Sequence, residues 1–462
     1  MPTQTRARNT LGRMITVTLA AASFGAPAIA IADSAKEQQL EARIAELEKQ
    51  VQALLAAQKA APAPAAGAAP AAPAAATAAA APAKPAAAPI QGVSITPNAA
   101  PNTTFLLTGY LKADVLFTKT SDGDIPDNSV GRDFYVPGVT PVGGIGEDDW
   151  DLNAHVKQSR INFGTDTILE GGDKLSTRFE IDFFGSVTGD QRISNTYAPV
   201  LRHAYVTWRE WLVGQTWSNF MDVATLPEAV DFIGPTDGTS FVRQPQVRWT
   251  SGGLSVSAEN RETTITPYRG GARISSDDGW VPDLTARYAW KGSWGHVAVA
   301  GLLRELAHET TGANSIDAST WTGALSGSGK FNFGKDDVRW MVLYGNLGRY
   351  VALNFANDAV IDSSGDLESI DGFAGFAAYR HVWGSSGKLR STLMYSIQDY
   401  DNDVDLTGGS ASKSSWSAAA NIFYSPLPKL DVGAEYRYGI REIENGTDAD
   451  FNRLQFTTKY SF

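Results

Sequence analysis

The sequence predicts an all-β protein, a 16-stranded antiparallel transmembrane β-barrel formed by residues 103–462. Three observations predict this fold: apolar and polar residues alternate along many strands of about ten residues, long and short connections alternate between them, and the chain ends on an aromatic strand. The sequence contains no cysteine, which excludes disulfides and thiolate metal sites. Its formal net charge of -11 argues against a nucleic-acid-binding protein, because such a protein needs a basic surface.

Residues 1–32 have the features of a secretory signal peptide. Arg6, Arg8 and Arg13 precede a short apolar run, and small residues suited to cleavage follow it. A membrane-spanning helix is the competing interpretation, but the run is short and contains several Thr and Ser residues. The sequence therefore predicts export and cleavage before Asp33.

Two further segments are predicted between the signal peptide and the barrel. Residues 33–59 carry a heptad pattern whose apolar positions are Leu40, Ile44, Leu47, Val51 and Leu54. This pattern predicts a periplasmic coiled-coil helix, with an isolated amphipathic helix as the alternative because the heptads are few. Residues 60–102 are nearly all Ala and Pro. They predict a semi-extended linker, a tether that spans on the order of 100 Å at roughly 3.1 Å per residue.

Period-two alternation of apolar and polar residues begins at Thr103 and recurs to the end of the chain. In the first predicted strand, one face carries Phe105, Leu107, Gly109, Leu111, Ala113, Val115 and Phe117. The other face carries Thr108, Tyr110, Lys112, Asp114 and Thr118. Soluble sheets show the same alternation, so the lengths of the connections are needed to tell the two classes apart.

Eight long connections alternate with seven short turns, which predicts sixteen strands. The long connections cover about residues 119–150, 187–198, 218–243, 265–280, 307–317, 349–368, 401–412 and 442–450. An even strand number, with both chain ends on the short-turn side, is the plan of an outer-membrane barrel whose short turns face the periplasm. Aromatic residues suited to the membrane boundary lie beside the short turns: Trp208, Trp211, Trp290, Trp294, Trp383 and Tyr424.

The final strand alternates in the same way and places Tyr460 and Phe462 on its apolar face. An open sheet edge is not tolerated in lipid, so this strand is expected to pair with the first one, near residues 105–117. The terminal Phe on such a strand resembles the signal that the barrel-assembly machinery recognises in outer-membrane proteins.

The parity of the strands predicts a polar lumen in which Arg and Lys outnumber the acids. Lys112, Arg160, Arg178 and Arg202 come from the first four strands, so they are expected to form one basic wall. Further pore-lining residues are predicted on a later strand and in the third long loop, which is apolar enough to fold inward: Arg437, Asp222, Glu228 and Asp231. Fixed cations lower the barrier for anions; a balanced lining with little selectivity is the alternative.

Three stretches carry a family resemblance: "GYLKADVLF", "HVKQSRINFGT" and "WLVGQTWSNFMD". With the heptad segment and the terminal Phe, they resemble the DcaP-like family of trimeric Gram-negative outer-membrane porins. The resemblance implies a homotrimer with a periplasmic coiled coil, a third loop that folds inward, and a preference for small anions such as dicarboxylates. It also implies that Arg160, in "QSRINF", is a lumen cation.

The predicted function is a porin, a passive diffusion channel in the outer membrane of a Gram-negative bacterium. Its predicted partners are two further copies of the chain, outer-membrane lipid, the barrel-assembly machinery and small anionic solutes. A structural anchor or adhesin is one alternative, and an outer-membrane hydrolase is another. The sequence has neither an HExxH motif nor a G-x-S-x-G elbow, and it predicts no enzyme, cofactor or metal site.

Overall fold

The computed structural model describes most of the chain from residue 99 onward: residues 99–144, 149–185, 189–190, 195–312 and 315–462, together with Lys49. The predicted signal peptide, coiled coil and most of the linker lie outside these residues, and they stay predictions. None of the helices described is both long and apolar enough to cross a membrane.

One closed antiparallel sheet surrounds a lumen, which confirms the all-β class and the predicted strand number for the part of the chain described. The sixteen strands are β1 (Thr103–Thr120), β2 (Asp151–His155 and Arg160–Ile168), β3 (Lys174–Asp182), β4 (Val200–Trp208), β5 (Trp211–Trp217), β6 (Arg243–Ser251), β7 (Leu254–Glu259), β8 (Asp283–Gly292), β9 (Gly295–Glu309), β10 (Asp317–Phe333), β11 (Asp336–Gly345), β12 (Gly372–Trp383), β13 (Leu389–Tyr400), β14 (Ser412–Leu427), β15 (Leu430–Ile443) and β16 (Asp448–Ser461). Each strand pairs with its neighbours in the sequence.

The barrel closes where β1 pairs with β16, from Tyr110 opposite Ser461 to Thr120 opposite Phe451. Beyond this register, the backbone N–H of Phe462 donates to the Gly109 carbonyl oxygen at 3.0 Å, and the Gly109 N–H donates back at 3.3 Å. A Cβ atom at Gly109 would lie 2.2 Å from the backbone oxygen of Arg160 in β2, so the close approach of β1 to β2 at this point requires glycine. The predicted pairing of the two terminal strands is confirmed.

The second strand is interrupted at residues 156–159, a break that the alternating pattern did not predict. Ser159 replaces the missing ladder contact, because its hydroxyl accepts from the Lys112 N–H at 3.1 Å and donates to the Lys112 carbonyl oxygen at 3.3 Å. A side chain that satisfies both backbone groups allows the wall to bend without leaving polar groups unpaired.

The two faces of the sheet differ as the alternation predicts. Phe105, Leu107 and Leu111 on β1 point outward and are exposed, and the aromatic residues beside the short turns are also exposed on the outside. Lys112 and Asp114 point inward and are buried. The outer face therefore carries the apolar band and aromatic girdle that a bilayer requires.

The long connections carry the remaining secondary structure. Short helices lie at Val130–Arg132, Pro137–Val139, Val223–Thr225, Thr236–Gly238, Gly348–Tyr350 and Val404–Thr407. A small sheet joins Thr263–Thr266, Ile274–Ser276, Ala359–Ile361 and Leu367–Ser369, and Gly189–Asp190 pairs with Thr196–Tyr197. The predicted limits of the fifth and eighth connections were wrong, because hydrogen-bonded pairing continues to Glu309 opposite Asp317 and to Glu442 opposite Asp448.

Three loops fold together inside the barrel with part of the second long connection. We call the connections at 121–150, 218–242 and 346–371 loops 1, 3 and 6. An apolar cluster joins residues of loops 1 and 3 and of the second long connection: Phe134, Val136, Phe184, Met221, Ile233 and Phe241. Loop 6 attaches to loop 3 through the bridge between Ser240 and Val351. The loops therefore form one packed body with its own core.

Loop 6 is fixed by a buried guanidinium. Arg304 of β9 contacts the carboxylates of Asp283 at 3.2 Å and Asp358 at 2.6 Å. Burial alone would raise the pKa of Asp358, but Arg304 and two backbone N–H donors hold the pKa of this carboxyl below its usual range. Asp358 thus stays ionised inside the protein, and its loop is held against the wall.

We predict that Phe462→Asp lowers the amount of barrel in the outer membrane without much destabilising a folded barrel. A charged group near the membrane boundary costs only about 0–1 kcal/mol, so the loss is expected at recognition and insertion. The measurements are outer-membrane levels and the unfolding temperature of purified protein.

The matched control is Ser461→Asp, which adds the same charge at the neighbouring position, on the opposite face of the strand. Equal outer-membrane levels for Phe462→Asp, Ser461→Asp and the wild type would contradict the role assigned to the terminal ring.

Candidate functional site

Loop 3 leaves β5 and crosses the lumen to the far wall, which confirms the prediction that it folds inward. The carbonyl oxygen of Val230 accepts from Lys112 Nζ of β1 at 2.8 Å, and the Val230 N–H donates to Glu435 of β15 at 2.8 Å. Phe220, Met221 and Val230 are buried. The middle of the lumen is therefore narrowed by a loop that contacts the wall on both sides of the point where the barrel closes.

A serine cradle fixes the end of this crossing. Asp237 is fully buried, and its carboxylate accepts four hydroxyl hydrogen bonds, at distances of 2.6 to 3.0 Å, from Tyr135, Ser396, Ser415 and Ser417. The three serines lie on β13 and β14, and Tyr135 lies in loop 1. Buried carboxylates need such partners, so the cradle joins loop 1, loop 3 and the wall.

Two further acids of loop 3, Asp222 and Glu228, contact the wall at β9, β10 and β13. Asp222 contacts His296 Nε2 of β9 at 2.8 Å and Ser328 Oγ of β10 at 3.0 Å. Glu228 contacts Arg390 of β13 at 2.7 Å. These carboxylates therefore do not face the predicted basic wall on β1–β4.

The four cations predicted for that wall do lie on adjacent strands, and each is paired with carboxylates of the same wall. Lys112 contacts Asp114 at 3.0 Å, and Arg178 contacts Asp166 at 3.0 Å. Arg160 and Arg202 share Glu180 and Asp182, at distances of 2.7 to 3.4 Å. Four cations thus meet four carboxylates, and this wall carries little net charge.

Arg437 and Asp231 lie away from open water. Arg437 is 2% exposed, contacts Glu435 at 3.0 Å and stacks over the Tyr135 ring. Asp231 accepts from the Tyr135 backbone N–H at 2.8 Å and from two N–H groups of its own loop. Asp231 therefore joins loop 3 to loop 1, and Arg437 attaches loop 1 to the wall.

A cavity of about 750 Å³ lies beneath loop 3, toward the short-turn end of β4–β10. We call it the vestibule. Its charged side chains are four cations, Arg248, Arg287, Lys291 and Lys330, and a single carboxylate, Asp222. Among the described residues, Arg248 and Lys291 have no carboxylate within ion-pair distance. The vestibule therefore has an excess of positive charge.

A belt of charges continues the vestibule around the short-turn half of β10–β16. It contains five cations and three carboxylates: Lys330, Arg339, Arg380, Arg390 and Lys459, with Asp337, Glu228 and Asp431. None of these five cations is among the pore-lining residues that the sequence analysis named. Their closeness to the short turns was the signal that separates them from the buried cations nearer the long loops.

In the part of the chain that the structure describes, no group of three or more His, Cys, Asp or Glu side chains is arranged to hold a metal ion. The vestibule itself offers charged and hydrogen-bonding side chains in an open space. Guanidinium and ammonium groups of this kind attract carboxylates and other anions.

Comparisons with known proteins agree with the fold. The family model described as DcaP outer membrane protein matches residues 138–462. The crystal structure of the outer membrane channel DcaP of Acinetobacter baumannii is 24% identical, with a TM-score of 0.62 over 78% of this chain and 98% of that one. OmpT of Vibrio cholerae in its trimer form is 13% identical, with a TM-score of 0.48 over 78% of this chain and 99% of that one. No curated protein matches the sequence.

We predict that Asp237→Ala releases the end of loop 3, because four buried hydroxyl groups lose their shared acceptor. Unsatisfied buried groups cost about 1–3 kcal/mol each, so the unfolding temperature is expected to fall. The end of loop 3 is also expected to pack less tightly against the wall. Single-channel recording should show higher open-state noise and altered conductance.

The control for this change is Asp405→Ala, which removes an exposed carboxylate from the seventh long loop. If the Asp237 variant matches this control in conductance and noise, the cradle does not hold the loop.

Proposed function

Because the chain belongs to the DcaP family of outer membrane proteins, we propose that it is a passive diffusion channel for small hydrophilic solutes with a preference for anions such as dicarboxylates. The observation that carries this proposal is the vestibule, where four cations and one carboxylate line a space beneath the narrowing loop. An excess of fixed positive charge lowers the free energy of an anion there and raises that of a cation.

The preference for two carboxylates is supported by how the cations are spread. The vestibule and the belt place them on several neighbouring strands, so the two ends of a dicarboxylate can contact different side chains. Arg248 and Lys291 are available for this role because neither has a carboxylate within ion-pair distance among the described residues.

The basic wall of β1–β4 contributes differently under this proposal. Lys112 and Arg202 are buried, whereas the side chains of Arg160 and Arg178 are 18% and 25% exposed. The two exposed cations can therefore still meet a solute, but their own carboxylates reduce the attraction. We propose that they tune selectivity less than the vestibule does.

A structural anchor with a closed lumen is the second candidate. The packed core of loops 1, 3 and 6 favours it, since a loop body with apolar contacts fills part of the barrel. Conductance of the purified protein in a planar bilayer separates the two candidates, because only an open channel passes current. No specific contact favours a hydrolase, and we propose that the protein is not an enzyme.

We also propose that the chain is exported, assembled by the barrel-assembly machinery, and forms a homotrimer with its coiled coil in the periplasm. The alternating terminal strand supports the assembly step, and the heptad pattern supports the coiled coil. The outward apolar band supports contact with outer-membrane lipid.

We predict that Arg248→Gln with Arg287→Gln shifts the reversal potential in a salt gradient toward cation permeation. Each cation contributes roughly 1 kcal/mol at about 4 Å in bulk-like water, so the anion-to-cation permeability ratio should fall severalfold. The shift should shrink at 1 M salt, where the Debye length is about 3 Å.

Arg209→Gln is the matched control, since Arg209 lies at an exposed short turn and is paired with Asp173 at 2.6 Å. Arg160→Gln tests the basic wall in the same recording, and a smaller shift is expected. A wild-type channel that prefers potassium over chloride would refute the anion preference directly.

We predict that deletion of residues 36–58 leaves trimers that dissociate more easily, because porin barrels supply most of the contact between subunits and the coiled coil adds to it. Native gel electrophoresis in mild detergent against temperature measures this. A full-length protein that runs as a monomer would contradict both the contact between barrels and the contribution of the coiled coil.

A further inference from the structure

The vestibule is not lined as a space for purely hydrophilic solutes would be. Beside its cations it exposes apolar side chains, among them Leu212 of β5 and Val223 of loop 3, with aromatic rings from Tyr205 and Trp217. Val223 is 41% exposed. Apolar side chains that stay open to water in a concave space are typical of a ligand site.

Trp217 packs against the apolar cluster of the loops, but loop packing does not explain Leu212 and Val223. Met221, two residues before Val223, is buried in the apolar cluster that contains Phe241. Leu212, Val223 and Tyr205 belong to none of the apolar clusters found among the described residues. The exposed surfaces of Leu212 and Val223 therefore face the vestibule, and the Tyr205 ring lies beside them with one edge contact to the His203 ring.

Charged and apolar groups lie side by side there. Leu212 is directly opposite Arg248 in the pairing of β5 with β6. The Arg287 guanidinium donates to the Met221 carbonyl oxygen at 3.0 Å, which holds it at the base of loop 3 near Val223. The Tyr205 hydroxyl has no hydrogen-bond partner among the residues described, so it is available to a ligand.

We infer that the vestibule binds organic anions in which one anionic group is joined to an apolar body, such as aryl or medium-chain alkyl monocarboxylates. The cations hold the charged group, while the apolar body covers Leu212 and Val223. This inference rests on the proposed function, because it names the solutes that such an anion channel retains longest. A volume of about 750 Å³ accommodates a substituted ring within the usual range for ligand sites.

The charge of the solute alone does not account for such a preference. Acetate and benzoate carry the same charge, so fixed cations attract both to a similar degree. Removing part of an aromatic ring from water strengthens binding by about three- to tenfold. The expected signature is therefore a benzoate effect that exceeds the acetate effect by this factor at equal ionic strength.

The experiment measures the block of chloride current through the purified, full-length protein in a planar bilayer, titrated with sodium benzoate or sodium acetate. Wild-type protein is expected to show the stronger block with benzoate. Leu212→Ser with Val223→Ser should bring the two anions to the same concentration dependence. Val213→Ser, which changes the neighbouring outward-facing residue of β5, should keep the benzoate preference.

The outcomes are distinguishable. Wild-type protein that fails to prefer chloride over potassium would overturn the proposed function. Anion-selective wild-type protein that benzoate and acetate block equally would overturn only this inference. A benzoate preference that survives in the Leu212 and Val223 variant would also overturn it, because the apolar lining would then play no part.

Discussion

The structure depends on one constraint, which is that no backbone polar group can remain unpaired where the sheet meets lipid. The contact between Phe462 and Gly109 satisfies this constraint at the end of the chain, and the β1–β16 ladder satisfies it above that point. The Ser159 hydroxyl satisfies it at the break in β2. Closure then fixes the direction of every side chain, because successive residues alternate between lipid and lumen.

Closure also creates a lumen too wide for side chains of the wall to fill. Loops 1, 3 and 6 occupy part of that space, and they do so as a folded body with an apolar core. An apolar cluster attaches loops 3 and 6 to the inner face of β9–β13. Polar contacts add to it: Asp237 accepts from hydroxyl groups of β13 and β14, and Asp358 of loop 6 contacts Arg304. Many lumen charges of the sequence are thus used for attachment and are not open to solutes.

This division of the charges changes how the lumen cations are interpreted. Arg304 and Arg437 are buried beneath loops and each contacts a carboxylate, because an unpaired buried charge would be costly. Arg248, Arg287 and Lys330 lie below loop 3, where they line the vestibule and are partly exposed. Cations of the same residue type on the same face of the sheet therefore either hold loops or line the vestibule, according to their height in the barrel.

The sequence by itself determined the barrel. Alternation with a period of two, eight long and seven short connections, and the aromatic ending depend only on local residue order, and each of them was confirmed for the described residues. The inward course of loop 3 was also predictable, since its Phe220, Met221 and Ile233 are too apolar for an open surface loop. The DcaP resemblance was confirmed by the family match over residues 138–462.

Only the tertiary structure decided which charges pair and which face water. Parity placed Lys112, Arg160 and Arg202 in the lumen, but parity carries no information on height or on contacts across it. Glu180 and Asp182 compensate the basic wall because strand register brings them beside Arg160 and Arg202. The vestibule exists because loop 3 crosses at one level and leaves space beneath. Contacts between residues far apart in the chain set that level, so no local pattern in the sequence encodes it.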